Sequence, residues 1–378
     1  MLDVAVVGAG PVGAVTAALC ARNGRRVEIF EARPTPATDA RTLALSHASR
    51  ELVESAGGWP RAGATPIDAI HVSQKGAPGR TLLSAADQQL PALGYTVSFG
   101  ALTQALAEGL GRSGVAIHYG AACEAVSLDA EGATVRFASG AEARARLLVL
   151  ADGGANAGKI PGIAFEEKDY GQVAVVARVS ADRPHEGRAY ERFTPQGPVA
   201  LLPIEGRYAL VYTARPREAA RLLDLDDGAF LAMLQEHFGD RAGRFTAVEG
   251  RASFPLKLRR INVPVALRTA IVGNAAQALH PIAGQGLNLG LRDAATLADL
   301  VQASGDAAIG SPAMLRSYAA SRRRDASRGV AFTDFLASVF AERGVAPSWG
   351  RGLALTLLDV FPPARRALAR RMIHGAAR

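Results

Sequence analysis

Gly8-Ala9-Gly10-Pro11-Val12-Gly13 has the residue types and spacing of a loop that cradles a diphosphate. It lies between an apolar run, Asp3-Val4-Ala5-Val6-Val7, that reads as a buried strand, and a helical stretch from Val12 to Arg22. Each glycine has a mechanical reason to be there. Gly8 turns tightly, Gly10 lets a pyrophosphate approach the backbone, and Gly13 lets helix and strand pack closely. The start of the helix then offers free N–H groups to phosphate oxygens. Glu31 closes the next strand, Arg26-Val27-Glu28-Ile29-Phe30-Glu31, and Ala32 follows it. A carboxylate there accepts hydrogen bonds from both hydroxyls of an adenosine ribose and repels a 2′-phosphate. These features point to a dinucleotide, against a merely tight turn, and do not separate FAD from NAD.

A second constellation separates them. Thr269-Ala270-Ile271-Val272-Gly273-Asn274 reads as a strand ending in a turn, and Ala283-Gly284-Gln285-Gly286-Leu287-Asn288 leads into a helix. An NAD domain has no need of a second glycine-rich strand, loop and helix so far along the chain. FAD is longer, and its flavin half needs a second support. Helical N–H groups at Gly286 to Asn288 would face the flavin pyrimidine ring, where negative charge gathers on reduction. The alternative is a glycine-rich connector. Between the two segments, Leu148-Val149-Leu150-Ala151-Asp152-Gly153 is again a strand running into Asp-Gly.

Taken together, these residues resemble the class A flavoprotein aromatic hydroxylases, the family that shares the p-hydroxybenzoate hydroxylase fold. The similarity runs along nearly the whole chain, through Arg41 to Ser46, Gly58-Trp59, Arg192-Phe193-Thr194, Leu202-Pro203, and Tyr318 with Arg322 to Asp325. The run Ala283 to Asp293 is similar to the ubiquinone-biosynthesis branch, and Gly273-Asn274 with Gln277 and Leu279-His280-Pro281 to its 2-polyprenyl-6-methoxyphenol hydroxylases. Asn274 departs from the family's usual Asp, keeping an acceptor oxygen and dropping the charge. Asn156 and Lys159 stand where Ser and Arg are usual, and Lys lacks the planar fork of Arg.

The resemblance implies a cycle in which NAD(P)H reduces FAD, O2 adds to give a C4a-hydroperoxide, and one oxygen passes to an electron-rich carbon of a prenylated phenol. It implies that Ala151-Asp152-Gly153 helps hold the pyrophosphate, and that Arg41 and Gln104 contribute to the cofactor site. The cofactor carries the hard step, so the chain needs no Ser-His-Asp triad and no metal cluster. What is left to the protein is to exclude water, hold the ring and favour the phenolate. His280, followed by Pro281, is the titratable residue expected beside the flavin, assisting phenol deprotonation or bonding the peroxide, or else fixing its loop. Phe193, Leu202, Pro203, Tyr212 and Phe254 are expected in the ring pocket and prenyl channel, and each could equally be sheet core. Another aromatic substrate, a prenyl reductase, or a non-catalytic prenyl carrier on this scaffold are the competing readings.

The elements that must position these residues form a mixed α/β fold. A Rossmann-like FAD-binding domain is expected from 1–65, 96–168 and 260–305, with a mostly β substrate domain from 66–95 and 169–259 and a helical region over 306–378. Hydrophobic content of 49% fits a globular core rather than disorder. The net charge of +8 is mostly Arg spread along the chain without aromatic interleaving, which argues against a nucleic-acid partner. Cys20 and Cys123, in unlike contexts, read as ordinary thiols. The start of the chain lacks a secretory pattern and no apolar run approaches the roughly 20 residues of a membrane span, so a cytoplasmic location is expected. From Arg351 to Arg371 leucines mix with arginines, fitting either a helix docked on the chain itself or one resting on the inner face of an anionic membrane. Other ubiquinone-biosynthesis proteins and a second copy of the chain are compatible partners.

Overall fold

The computed structural model describes residues 1–36, 41–76, 78–278, 284–323 and 345–375. The chain begins with β1 (Leu2–Val7), α1 (Pro11–Cys20), β2 (Val27–Glu31), β3 (Thr42–Ser46) and α2 (His47–Ser55). Next come β4 (Thr65–Ile67), β5 (Ala69–Gln74), β6 (Arg80–Ser84), β7 (Gly94–Ser98) and α3 (Phe99–Arg112). Strands β8 (Ala116–Tyr119), β9 (Cys123–Leu128), β10 (Ala133–Phe137) and β11 (Glu142–Leu150) precede the long β12 (Phe165–Ala181). Then follow β13 (Arg188–Thr194), β14 (Gly197–Ile204), β15 (Arg207–Ala214), α4 (Pro216–Asp224), α5 (Asp227–Phe238) and the long β16 (Phe245–Ile261). The last elements are β17 (Val265–Ala266), β18 (Thr269–Ile271), β19 (Gln277–Ala278), α6 (Gln285–Ala303), α7 (312–323), α8 (Val345–Val360) and α9 (Pro362–His374).

The first sheet is centred on β1, which pairs in parallel with β2 on one side and β11 on the other. Strands buried on both faces read as continuous apolar runs, which explains the unbroken Val4 to Val7 and Leu147 to Leu150. Parallel β8 and β18 extend it outward, and β9 and β10 fold back on β11. Val15 and Leu19 of α1 share one core with Leu291, Leu297 and Val301 of α6. The second sheet runs β19-β16-β12-β15-β14-β13-β5-β6, antiparallel except where β13 meets β5. Tyr190, Tyr208 and Tyr212 on one of its faces pack under Phe230, Leu234 and Phe238 of α5. Helices α4 and α5 interrupt the block expected to be mostly β; Pro216 starts α4, and Ala219 and Leu222 bury its apolar side. A small sheet, β3-β7-β4, pairs with neither, but Leu45 and Val97 pack in the core of the first and Thr96 donates to the Pro203 carbonyl of the second.

The mixed α/β class is as expected from the sequence. At the C-terminal end, Ala369 and Ile373 of α9 bury against Leu83 and Leu93, so this region packs on the chain itself. No helix among the described residues is long and apolar enough to cross a membrane.

Candidate active site

The turn from β1 to α1 is built by close approach. Gly8 sits at φ +105°, and a Cβ there would lie 2.7 Å from the Ala151 carbonyl group. A Cβ on Gly13 would lie 2.0 Å from the Gly8 carbonyl oxygen. Gly10 differs: its Cβ direction is open, with nothing within 4 Å. Pro11 opens α1 and no side chain caps the helix, while the Ala14 N–H already donates to the Gly10 carbonyl. The Val12 and Gly13 N–H groups are therefore the helix donors available to an anion. Glu31 is buried at the end of β2, where its Oε2 accepts from the Ala9 N–H at 2.8 Å and its Oε1 from Arg33 Nε at 2.8 Å. Burial pushes its carboxyl up, but Arg33 and the Ala9 N–H outweigh this and hold it below the usual carboxylate range.

The β11 end supplies a second turn. Asp152 accepts from the Gly154 N–H at 2.9 Å, and from the Asn156 N–H and side-chain amide at 2.9 and 2.6 Å. Asn156 thus acts as a local brace for Asp152, and Lys159 Nζ donates to the Cys123 carbonyl at 2.7 Å. After β18, Gly273 adopts φ +62° against Val12, and its N–H donates to Asp293 Oδ2 at 2.9 Å. Asp293 and Arg322 form a buried ion pair, and the Tyr318 hydroxyl donates to the Ile271 carbonyl at 3.1 Å. Two buried side chains on α7 therefore anchor the segment that carries Asn274.

These turns open onto one cavity of about 990 Å³. Gly8, Gly10, Glu31, Ala32, Arg41, Asp152 and Gly153 line one part of it; Asn274, Gly284, Gln285, Gly286, Leu287 and Asn288 line another. Its remaining wall is apolar, from Ile70, Val72 and Leu83 to Leu358, Met372 and Ile373. A space at the upper end of small-molecule pockets, with phosphate donors at one side and open Cβ directions at Gly10 and Gly286, fits an extended dinucleotide plus a further ligand.

Residues 1–333 match the FAD binding domain family. The chain is 36% identical to the ubiquinone hydroxylase UbiL of Rhodospirillum rubrum, across 97% of this chain and 88% of that one. It is 30% identical to the 3-demethoxyubiquinol 3-hydroxylase of Escherichia coli, across 79% of each. The chain belongs to the FAD-dependent aromatic hydroxylases. Among solved structures, p-nitrophenol 4-monooxygenase PnpA of Pseudomonas putida has the same fold, with a TM-score of 0.81 at 20% identity over 99% of this chain and 98% of that one. So does Klebsiella pneumoniae HpxO with FAD and uric acid, with a TM-score of 0.76 at 19% identity over 97% of each.

Within this hydroxylase, Phe193 and Leu202 line the cavity. Of the other expected site residues, Gly13 and Gly273 pack behind the lining, against Gly8 and Val12, and four more are not brought to the cavity. Tyr212 and Pro203 sit one position out of phase, because Val211, Thr213 and Leu202 take the cavity face and period-2 alternation turns their neighbours away. The Tyr212 hydroxyl instead meets His237 Nδ1 at 2.5 Å in the core beneath the sheet. Phe254 has the right face but the wrong strand: it pairs with Ala174, which pairs with Thr213, so it lies two strands beyond the wall and is 45% exposed. Gln104 is exposed on α3 and donates to Glu108 Oε1 at 3.1 Å. Asn288 reaches the cavity, but its side chain clamps α6 to β3, accepting from the Ser46 N–H at 2.8 Å and donating to the Ala44 carbonyl at 3.1 Å. His280 and Pro281 lie outside the described residues. Asp293 closes a characteristic run of the sequence without an expected role, and Glu191, an acid in phase with the cavity-facing Ala189 and Phe193, was missed. That break in an otherwise apolar face was readable from the chain.

Proposed function

We propose that this hydroxylase adds one oxygen atom to the ring of a prenylated phenol in ubiquinone biosynthesis, a reaction of the 2-polyprenyl-6-methoxyphenol type, with electrons from NADH or NADPH. One observation carries the reading: the cavity that begins at the dinucleotide turns continues without a break into an apolar end walled by β5, β6, α8 and α9. A polar aromatic head with a long hydrocarbon tail matches that gradient. FAD, when bound, supplies the activation of O2 and the transfer of one oxygen atom. The chain supplies the rest. The Val12 and Gly13 N–H groups hold the pyrophosphate, Glu31 the adenosine ribose, and Asn274 the ribityl chain. Gln285, Gly286 and Leu287 support the flavin ring, and Phe193, Leu202 and Thr213 confine the substrate ring and exclude water. We further read 1–65, 96–168 and 260–305 as the FAD domain and 66–95 with 169–259 as the substrate domain, which the pairing of β5 and β6 into the sheet of β12 to β16 supports.

His280 remains the residue proposed at the flavin edge, assisting proton transfer; if His280→Ala leaves turnover and its pH profile unchanged, that role is lost. The protein reaches its lipid substrate at a membrane surface. Leu353, Leu357, Val360 and Phe361 of α8 and its end are 62%, 59%, 73% and 59% exposed, and Arg366 and Arg370 are exposed beside them. An apolar patch flanked by arginines suits an anionic bilayer. A Leu357→Glu, Phe361→Glu double variant should lose co-flotation with phosphatidylglycerol vesicles; co-flotation equal to the parent protein removes membrane docking.

The deciding experiment supplies the FAD-loaded protein with a geranyl-substituted methoxyphenol, NADH or NADPH, and isotopically labelled O2. Incorporation of one labelled oxygen into the ring is expected. A product reduced in its side chain, or cofactor oxidation with no oxygen in the product, rejects ring hydroxylation.

A further inference from the structure

Glu191 stands in the middle of β13, half-buried, on the face that lines the cavity. Its cross-strand neighbours are Val72 on β5 and Ala200 on β14, and Phe193 and Leu202 continue the wall. A carboxylate in such a setting is costly unless something compensates it. Among the described residues nothing does: Glu191 accepts no hydrogen bond and enters no ion pair, and burial alone pushes its carboxyl up to about 7. The other two carboxylates of the cavity are engaged, Glu31 by Ala9 and Arg33, and Asp152 by Gly154 and Asn156.

The charged and titratable groups around β13 are turned elsewhere. Arg188, Tyr190 and Arg192 alternate onto the opposite face, as does His71, which is paired with Tyr190 in the register. Arg192 donates to the His237 carbonyl and to Ser73 Oγ, and the Tyr190 hydroxyl donates to the Arg241 carbonyl. Of the cations lining the cavity, Arg33 is bound to Glu31 and Arg41 lies over the Phe99 ring at 4.7 Å. A lone acceptor lining an apolar ring pocket is placed to take a donor from a bound ligand.

We propose that Glu191 takes the proton of the substrate's phenolic hydroxyl. The assignment rests on the ring-hydroxylation reading above. The phenolic O–H bond breaks, the proton passes to a Glu191 carboxylate oxygen, and the electron pair stays on the phenol oxygen, where it enriches the ring carbons that receive oxygen. After hydroxylation the same proton returns to that oxygen, so the carboxylate is regenerated. The apolar wall makes the group a better base. Against a phenol near 10, a carboxyl near 4.3 is mismatched by roughly a millionfold and one near 7 by roughly a thousandfold.

The test compares Glu191→Gln and Glu191→Asp with the parent, all loaded with FAD, using the geranyl-substituted methoxyphenol as probe. Ultraviolet difference spectra report the bound phenolate, and O2 consumption with NADH or NADPH reports turnover across pH. The parent should show the phenolate band, with turnover rising through the neutral range. Glu191→Gln should keep its flavin absorption, melt no lower than the parent, lose the phenolate band and fall about 100-fold or more in turnover; Glu191→Asp should recover part of the phenolate band and of turnover. Equal phenolate signal and turnover within twofold in Glu191→Gln overturn the assignment and leave the hydroxylase reading intact. A parent that holds FAD yet incorporates no oxygen into the probe overturns both.

Discussion

Asp293 shows how much of the cavity's shape is set by residues that do not line it. It is buried, binds the Gly273 N–H and pairs with Arg322. Burial pushes its carboxyl up, against the pull of Arg322 and of the Gly273 N–H. Asp293→Asn leaves the Arg322 guanidinium buried without its counter-charge, a loss on the order of 3–5 kcal/mol for a broken buried pair. The variant should melt at a clearly lower temperature and release FAD more readily, read by calorimetry and by flavin fluorescence after dilution. Glu191 predicts a pH effect of known sign. Its folded carboxyl, near 7, keeps a proton that the unfolded chain has already released between about 4.5 and 7. Stability therefore falls as pH climbs through that interval, and Glu191→Gln should flatten the slope in denaturant titrations.

The glycine turns allow a sharper separation at the scale of elements. Gly8→Ala must place a Cβ against the Ala151 backbone from a φ of +105°, so it should disrupt the junction of β1, α1 and β11 and yield little folded protein. Gly10→Ala meets nothing within 4 Å and keeps an ordinary φ of −66°. The apoprotein should fold as well as the parent, or gain about 0.4–1 kcal/mol, while its methyl group enters the space proposed for the pyrophosphate and flavin content should drop. Both glycines were legible in the chain because a tight turn has few solutions in residue type. The wall residues were less so. Tyr212 and Phe254 are plausible pocket residues by composition, and only register decides: one residue of phase sends Tyr212 to His237, and two strands of distance put Phe254 outside. Asn288 reaches the cavity, but its clamp on Ala44 and Ser46 depends on β3, far away in sequence.

For the molecule as a whole, the alternation of βαβ, mostly β and helical segments in the sequence is enough to specify a mixed α/β protein. What it could not announce is that α8 and α9 close the oily end of the cavity, because an amphipathic helix carries no address for the surface it covers. Leu358 and Met372 line that end. Leu358→Trp should shorten the longest prenyl chain that is turned over, leaving flavin content unchanged, when phenols of increasing tail length are compared. Strands β12 and β16 reach across the molecule: they wall the second sheet, and β16 goes on to pair Arg259 and Arg260 with Ala278 and Gln277, while Arg259 also grips the Gly153 carbonyl. This ribbon, though its register shifts at three places, ties the second sheet to the turn at Gly153. A load placed on one end is borne at the other, so a phenol should hold more firmly once the flavin nucleotide is seated, and the nucleotide should be harder to strip from protein already holding a phenol, by the same factor.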